Sequence, residues 1–218
     1  MRGSKRVLHA DLSRNFEGAD PWNYTESAIQ SERFHSALRL IDGARKGRLY
    51  EAALEVGCAE GVFTEMLVPR CKSLLSVEFV RVALARATER CAGLGVTFSY
   101  WDLSTCPVPI HPDLLVIMDV LEYYSRPADV RSARDKLIEA LEPGGHLLLG
   151  NSRQDLLFET AWWGKYMLRG GKRLAEFFCE HSALELIAMD TGTIYVNAIF
   201  RKRDEVPAEE HLNKKAMV

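Results

Sequence analysis

Apolar positions in this 218-residue chain follow two alternating patterns. Short runs at Tyr50–Val56, Ser73–Phe79, Val96–Asp102, Asp113–Tyr124 and His146–Gly150 have the length and composition of strands. Between them, Gly61–Arg70, Arg81–Ala92 and Pro127–Leu141 carry the spacing and residue types of helices. Pro69, the pair Gly93 and Gly95, and Glu142-Pro-Gly-Gly stop these three where they should. Upstream, Ile29, Phe34, Ala37, Leu38 and Ile41 form one more helical stripe, with Thr25 or Ser27 placed to cap it. Downstream, Lys172–His181 reads as a helix, and Leu184–Asp190 with Ile194–Lys202, joined at Thr-Gly-Thr, as a hairpin.

Five strands interleaved with helices, then a hairpin, predict an α/β fold. We expect a doubly wound, mostly parallel seven-stranded sheet with a C-terminal antiparallel hairpin. The run at Asp113–Tyr124 is the most hydrophobic and predicts the sheet's centre, where both faces are covered. Three stretches break the alternation. Residues 1–19 have little pattern and read as a mobile or loosely docked arm, so that 1–48 make an arm plus a capping helix ahead of a main domain over 49–202. Residues 151–172 are rich in large aromatics, Trp162, Trp163 and Tyr166 among them, and read as an insertion over the top of the sheet. Residues 203–218 are a charged tail.

Composition narrows the partners. Lys+Arg 28 against Asp+Glu 30 gives a net charge of −2, so there is no basic field for nucleic acid. No apolar run reaches the ~18–20 residues of a membrane span, and the first residues lack the apolar core of a signal peptide. The five cysteines are scattered and include no Cys-x-x-Cys, which argues against a disulfide framework or a zinc site. The expectation is a cytoplasmic monomer or homodimer acting on a small molecule, with neither nucleic acid nor membrane as partner.

The chemistry gathers at Ala52–Glu65, where a strand ends in Glu55, turns through Gly57, Ala59 and Gly61, and becomes a helix. In a parallel sheet such a corner holds a nucleotide-like ligand. Further acids end the next strands: Glu78 (followed by Phe79), Asp102 (followed by Leu103) and Asp119. A carboxylate about twenty residues past the turn accepts hydrogen bonds from ribose hydroxyls. The turn is G-x-A-x-G rather than G-x-G-x-x-G, and Glu55 and Glu60 flank it, which disfavours a pyrophosphate and suits a cationic ligand. Asp102 suits the exocyclic amine of adenine, and Asp119 the amino-acid end of S-adenosyl-L-methionine.

Over about residues 50–202 the sequence resembles the Rossmann-like S-adenosylmethionine-dependent methyltransferases. The matching pieces are L-E-V-G-C-A-E-G, S-V-E-F, Y-W-D-L, D-L-L-V-I-M-D-V-L-E-Y-Y and L-E-P-G-G-H-L-L-L-G. Asp20–Trp22, Glu32–Arg33, Glu55–Glu65, Val120–Tyr124 and Leu141–Leu147 further resemble the nodulation-protein-S type of N-methyltransferase. That resemblance implies S-adenosylmethionine as cofactor and methylation of a free amino group, as on an oligosaccharide backbone. O-methylation of a small molecule, or a non-catalytic cofactor-binding partner, are the alternatives. Arg33 is a candidate for the cofactor's carboxylate, and Trp22 and Tyr24 for an aromatic cover over the ligand. Glu122, Tyr124 and Tyr24 are the candidate catalytic groups, with Tyr123 and Asn151 close by. Tyr123 stands where many O-methyltransferases carry a histidine, so no metal is expected.

Overall fold

The computed structural model describes residues 13–124, 126–153 and 170–204. Its elements are α1 (Ala28–Arg45), β1 (Tyr50–Val56), α2 (Val62–Leu67), β2 (Cys71–Glu78), α3 (Arg81–Arg90), β3 (Thr97–Tyr100) and β4 (Leu114–Met118). They continue with α4 (Pro127–Ala140), β5 (His146–Ser152), α5 (Gly171–Cys179), β6 (Leu184–Thr191) and β7 (Tyr195–Lys202). One seven-stranded sheet runs β3-β2-β1-β4-β5-β7-β6. β1 to β5 are parallel, and β7 enters antiparallel between β5 and β6. This is the expected doubly wound sheet with its closing hairpin.

The unbroken apolar run of β4 is explained by its position. Leu114 and Val116 face one core with Phe34, Leu38 and Ile41 of α1 and Phe63 and Leu67 of α2. Leu115 and Ile117 face the other core with Leu137 and Ile138 of α4 and Leu174 and Phe178 of α5. Successive strand residues point to opposite faces, so a strand covered on both sides must be apolar throughout. Helix entries follow local chemistry: Ser27 caps α1 by accepting from the Gln30 N–H at 3.4 Å, and Pro127 opens α4.

Four expectations change. The fourth strand stops at Met118, because Asp119 takes a left-handed φ of 54° and Leu121–Tyr123 form a 3-10 turn. β5 runs on to Ser152, since Asn151 and Ser152 still find partners in Val196 and Tyr195 of β7. Ile29 is 49% exposed and is no part of the buried stripe of α1. The arm is docked from Ser13 onward: Phe16 is buried, and Arg86 Nη1 donates to the carbonyls of Phe16 and Gly18 at 3.3 and 2.8 Å. The expected aromatic insertion, including Trp162, Trp163 and Tyr166, falls mostly outside the described residues.

Candidate active site

The C-terminal ends of the parallel strands border a cavity of about 210 Å³. Gly57 and Ala59 line it from the turn, Glu78 and Phe79 from the end of β2, Asp102, Leu103 and Ser104 from beyond β3, and Asp119 from beyond β4. Phe16, Trp22 and Tyr24 form its aromatic wall. Trp22 stacks on Tyr24 with ring centres 5.7 Å apart and meets Phe16 edge-on at 4.9 Å.

The turn works by close approach. Gly57, at φ 79°, leaves a gap where a Cβ would sit 2.3 Å from Val120 Cγ2. Ala59 also has a positive φ, 49°, and its N–H donates to Glu78 Oε2 at 3.1 Å. Phe79 and Val80 N–H donate to Glu78 Oε1 at 2.7 and 2.9 Å. Burial lifts the Glu78 carboxyl above its ordinary value while these three N–H donors oppose the shift. Asp102 is held by its own loop: Ser104 N–H donates to Oδ1 at 2.8 Å and Thr105 Oγ1 to Oδ2 at 3.1 Å. Lys136 of α4 fastens that loop by donating to the carbonyls of Leu103 and Cys106 at 2.7 and 2.9 Å.

Several expected cofactor residues lie behind this first wall. Gly61 does not border the cavity; its φ is 80°, and a Cβ there would meet Ala87 Cα of α3 at 3.0 Å, so it serves helix packing. Glu55 is 3% exposed and borders a neighbouring hollow of about 40 Å³ together with Gly57, Cys58 and Asp119. Its Oε2 accepts from Thr64 Oγ1 at 2.6 Å and Ser76 Oγ at 2.7 Å, and burial raises its pKa to about 7. Glu60 was expected to tune the turn electrostatically, yet it points away. It accepts from the Asp20 N–H at 2.7 Å and from Arg86 at 2.6 Å, fixing the Asp-Pro-Trp segment over the cavity. Burial pushes the Cys58 thiol well up, which keeps it unreactive.

Beyond β4 the groups are held by side chains and by one main-chain N–H, that of Ser152. Arg33 of α1 is 3% exposed and ion-paired with Asp119 Oδ2. It is neither a surface pair nor a wall of the main cavity. Asn197 of β7 donates to the Arg33 carbonyl at 2.9 Å and steadies that stretch of α1. Ser152 N–H donates to Asp119 Oδ1 at 3.0 Å, and Ser152 Oγ to Glu122 Oε2 at 3.1 Å. Burial, then Asp119, raises the Glu122 pKa to about 7. Burial pushes the Tyr24 and Tyr123 hydroxyls well above their usual values, so both stay protonated and able to donate. Tyr123 feels Glu122, Asp119 and Glu78, whereas Tyr124 feels Asp102 and Asp129 on the other side of the cavity. Both tyrosines line the main cavity. Ser152 and Lys136 were missed in the sequence, because nothing local to either marks its role. Among the described residues, no cluster of His, Cys, Asp and Glu suits a metal ion.

A doubly wound sheet with an antiparallel seventh strand and a ring of strand-end acids around a glycine turn defines the Rossmann-like methyltransferase class. The family model for nodulation protein S (NodS) matches residues 4–194, and the chain belongs to that family. It is 34% identical over 142 residues to nodulation protein S of Sinorhizobium fredii, covering 65% of this chain and 64% of that relative. The Bradyrhizobium diazoefficiens protein is 31% identical over 149 residues, or 68% of this chain and 70% of its own length. Among solved structures, N-methyltransferase NodS from Bradyrhizobium japonicum WM9 in complex with S-adenosyl-L-homocysteine aligns with TM-score 0.76 and 29% identity. That alignment covers 89% of this chain and 98% of the other.

Proposed function

We propose that this chain is an S-adenosylmethionine-dependent methyltransferase that methylates the amino group of a small molecule, an amino sugar or a secondary metabolite. The observation carrying this reading is the set of carboxylates at successive strand ends around one cavity, on the fold of a relative solved with S-adenosyl-L-homocysteine. The donor set fits the cofactor. Gly57 admits a close backbone approach, the acids face a ligand without phosphate, and the Ser104 hydroxyl on the cavity wall is buried without a partner of its own.

In this reading Glu78 takes the ribose hydroxyls. Asp102, with Leu103 and Ser104, takes the adenine edge. The turn at Gly57 and Ala59, with Asp119, takes the amino-acid portion. Phe79 and Trp22 cover the ligand's faces, while Glu55, Gly61 and Arg33 hold those groups in place from behind. When bound, S-adenosylmethionine supplies a methyl group already activated by its sulfonium. The chain's own task is to exclude water and align the acceptor, which contributes ~7–11 kcal/mol in well-oriented reactions. An alkyl amine must also arrive as the free base. In this reading Glu122, which does not itself border the cavity but interacts with Asp119 on its wall, takes the amine's proton, and Tyr24 and Tyr123, both on the wall, orient the amine by donating hydrogen bonds. No helix among the described residues is long and apolar enough to cross a membrane, and the near-neutral charge offers no basic field for a nucleic-acid acceptor, so the reading keeps to a small-molecule acceptor.

Calorimetric titration with S-adenosyl-L-homocysteine tests the cofactor reading. We expect saturable binding that Glu78→Ala weakens roughly a hundredfold, since it removes the ribose acceptor and strands three N–H donors. No binding by the unaltered protein would overturn it.

A further inference from the structure

We propose that Ser152 is a positioning residue that divides labour between the two carboxylates beyond β4, holding Glu122 as proton acceptor for an incoming ammonium while Asp119 remains the fixed counter-charge of Arg33. This deepens the methyltransferase reading and rests on it.

One residue touches both acids. The Ser152 N–H donates to Asp119 Oδ1 at 3.0 Å, and its hydroxyl donates to Glu122 Oε2 at 3.1 Å. Asp119 Oδ2 faces Arg33, so both Asp119 oxygens are engaged. That carboxylate is committed to the buried guanidinium of Arg33 and to the Ser152 N–H. Glu122 is 9% exposed, and among the described residues no cation is ion-paired with it. The charged and titratable groups that bear on it are Asp119, Arg33 at longer range, and the Tyr24 and Tyr123 hydroxyls. Burial and the Asp119 charge make its proton affinity high, near that wanted for a base at neutral pH. The adjacent Asn151 is 1% exposed, and its side chain, like the Ser152 hydroxyl, favours the ionised form of Glu122.

The proton balance is simple. The ammonium passes one proton to the Glu122 carboxylate and keeps its nitrogen lone pair. That pair forms the new N–C bond as the methyl's bond to sulfur breaks, with the bonding electrons going to sulfur. The proton on Glu122 then leaves to solvent. Ser152 takes no part in bond making. Its hydroxyl fixes the orientation of Glu122 and stabilises its ionised form.

Two variants test this, with glucosamine oligomers as acceptor and the full chain loaded with cofactor. In Ser152→Ala we expect kcat/KM at neutral pH to fall roughly tenfold and the acid limb of its pH profile to move up by about one unit. Binding of S-adenosyl-L-homocysteine should stay unchanged, and Ser152→Thr should restore the profile. Glu122→Gln should lower kcat by roughly 10²–10⁴ and abolish the limb. Titration of 13C-labelled glutamate carboxyls by NMR, with the Glu122 signal assigned through Glu122→Gln, reads the same shift without turnover. An unmoved Glu122 titration in Ser152→Ala, or a wild-type pH profile in Glu122→Gln, overturns the inference. Either result with cofactor binding intact leaves the methyltransferase reading standing, whereas lost binding in the unaltered protein removes both.

Discussion

The two halves of the crevice hold their acids by different means. On the side of β2 and β3, Glu78 is bound by three main-chain N–H groups, and Asp102 by the backbone and a hydroxyl of its own loop. On the side of β4 and β5, the Arg33 side chain holds one oxygen of Asp119 and the Ser152 N–H the other, while Glu122 depends on the Ser152 hydroxyl, so a distant helix and a neighbouring strand both contribute. Main-chain donors come with the turn itself and survive most substitutions. Side-chain donors are lost one residue at a time. The first half is thus a rigid receptacle, and the second is an adjustable one whose charge state depends on individual side chains.

The largest effect should come from the adjustable half. Arg33→Met leaves Asp119 buried without its cation, and breaking a buried pair from one side costs about 3–5 kcal/mol. Chemical denaturation should show that loss, and Arg33→Met with Asp119→Asn together should recover much of it. A loss under ~1 kcal/mol would place Asp119 in water and dissolve the contrast.

Next in size is the pH dependence of stability. The folded pKa values of Glu55 and Glu122 are about 7, raised mainly by burial above the ordinary 4.5. Between those values the folded protein binds more protons than the unfolded chain. The associated stability is complete below about pH 4.5 and is lost as pH rises through about 7. Thermal melts of the cofactor-free protein should therefore fall from about pH 5 to pH 8, and less steeply in Glu55→Gln. Identical slopes would mean that Glu55 keeps its ordinary pKa.

The smallest effect should fall on the rigid half. Lys136→Met frees the carbonyls of Leu103 and Cys106 but leaves the Asp102 turn intact. Affinity for S-adenosyl-L-homocysteine should drop roughly tenfold, about 1.4 kcal/mol, with little change in melting temperature. A loss as large as that of Arg33→Met would erase the distinction between the halves.

The same division decides what could be read from the chain. Glu55, Glu78, Asp102 and Asp119 were visible because each closes a local apolar run next to a turn. The run through Asp113–Tyr124 showed a central strand but not its end, since Asp119 leaves the strand by a backbone rotation that apolar Val120 and Leu121 do not advertise. Ile29 sat at helical spacing, yet the helix face it shares looks out to solvent. Pairings such as Arg33 with Asp119, Glu60 with Arg86, and Ser152 with both acids join residues 26 to 86 positions apart. No periodicity connects such positions, so only the folded chain brings them together.

The three small residues of the turn differ in what replacement demands. Gly57 and Gly61 combine a positive φ with a neighbour that a Cβ would strike, so each is blocked twice. Ala59 carries its Cβ and bears only the cost of a left-handed backbone, ~1–2 kcal/mol. Glycine would relieve that strain but add ~0.4–1 kcal/mol of unfolded-chain entropy. The difference leaves glycine ahead by no more than ~1.6 kcal/mol, so the middle of this turn tolerates either residue, while its two ends admit glycine alone.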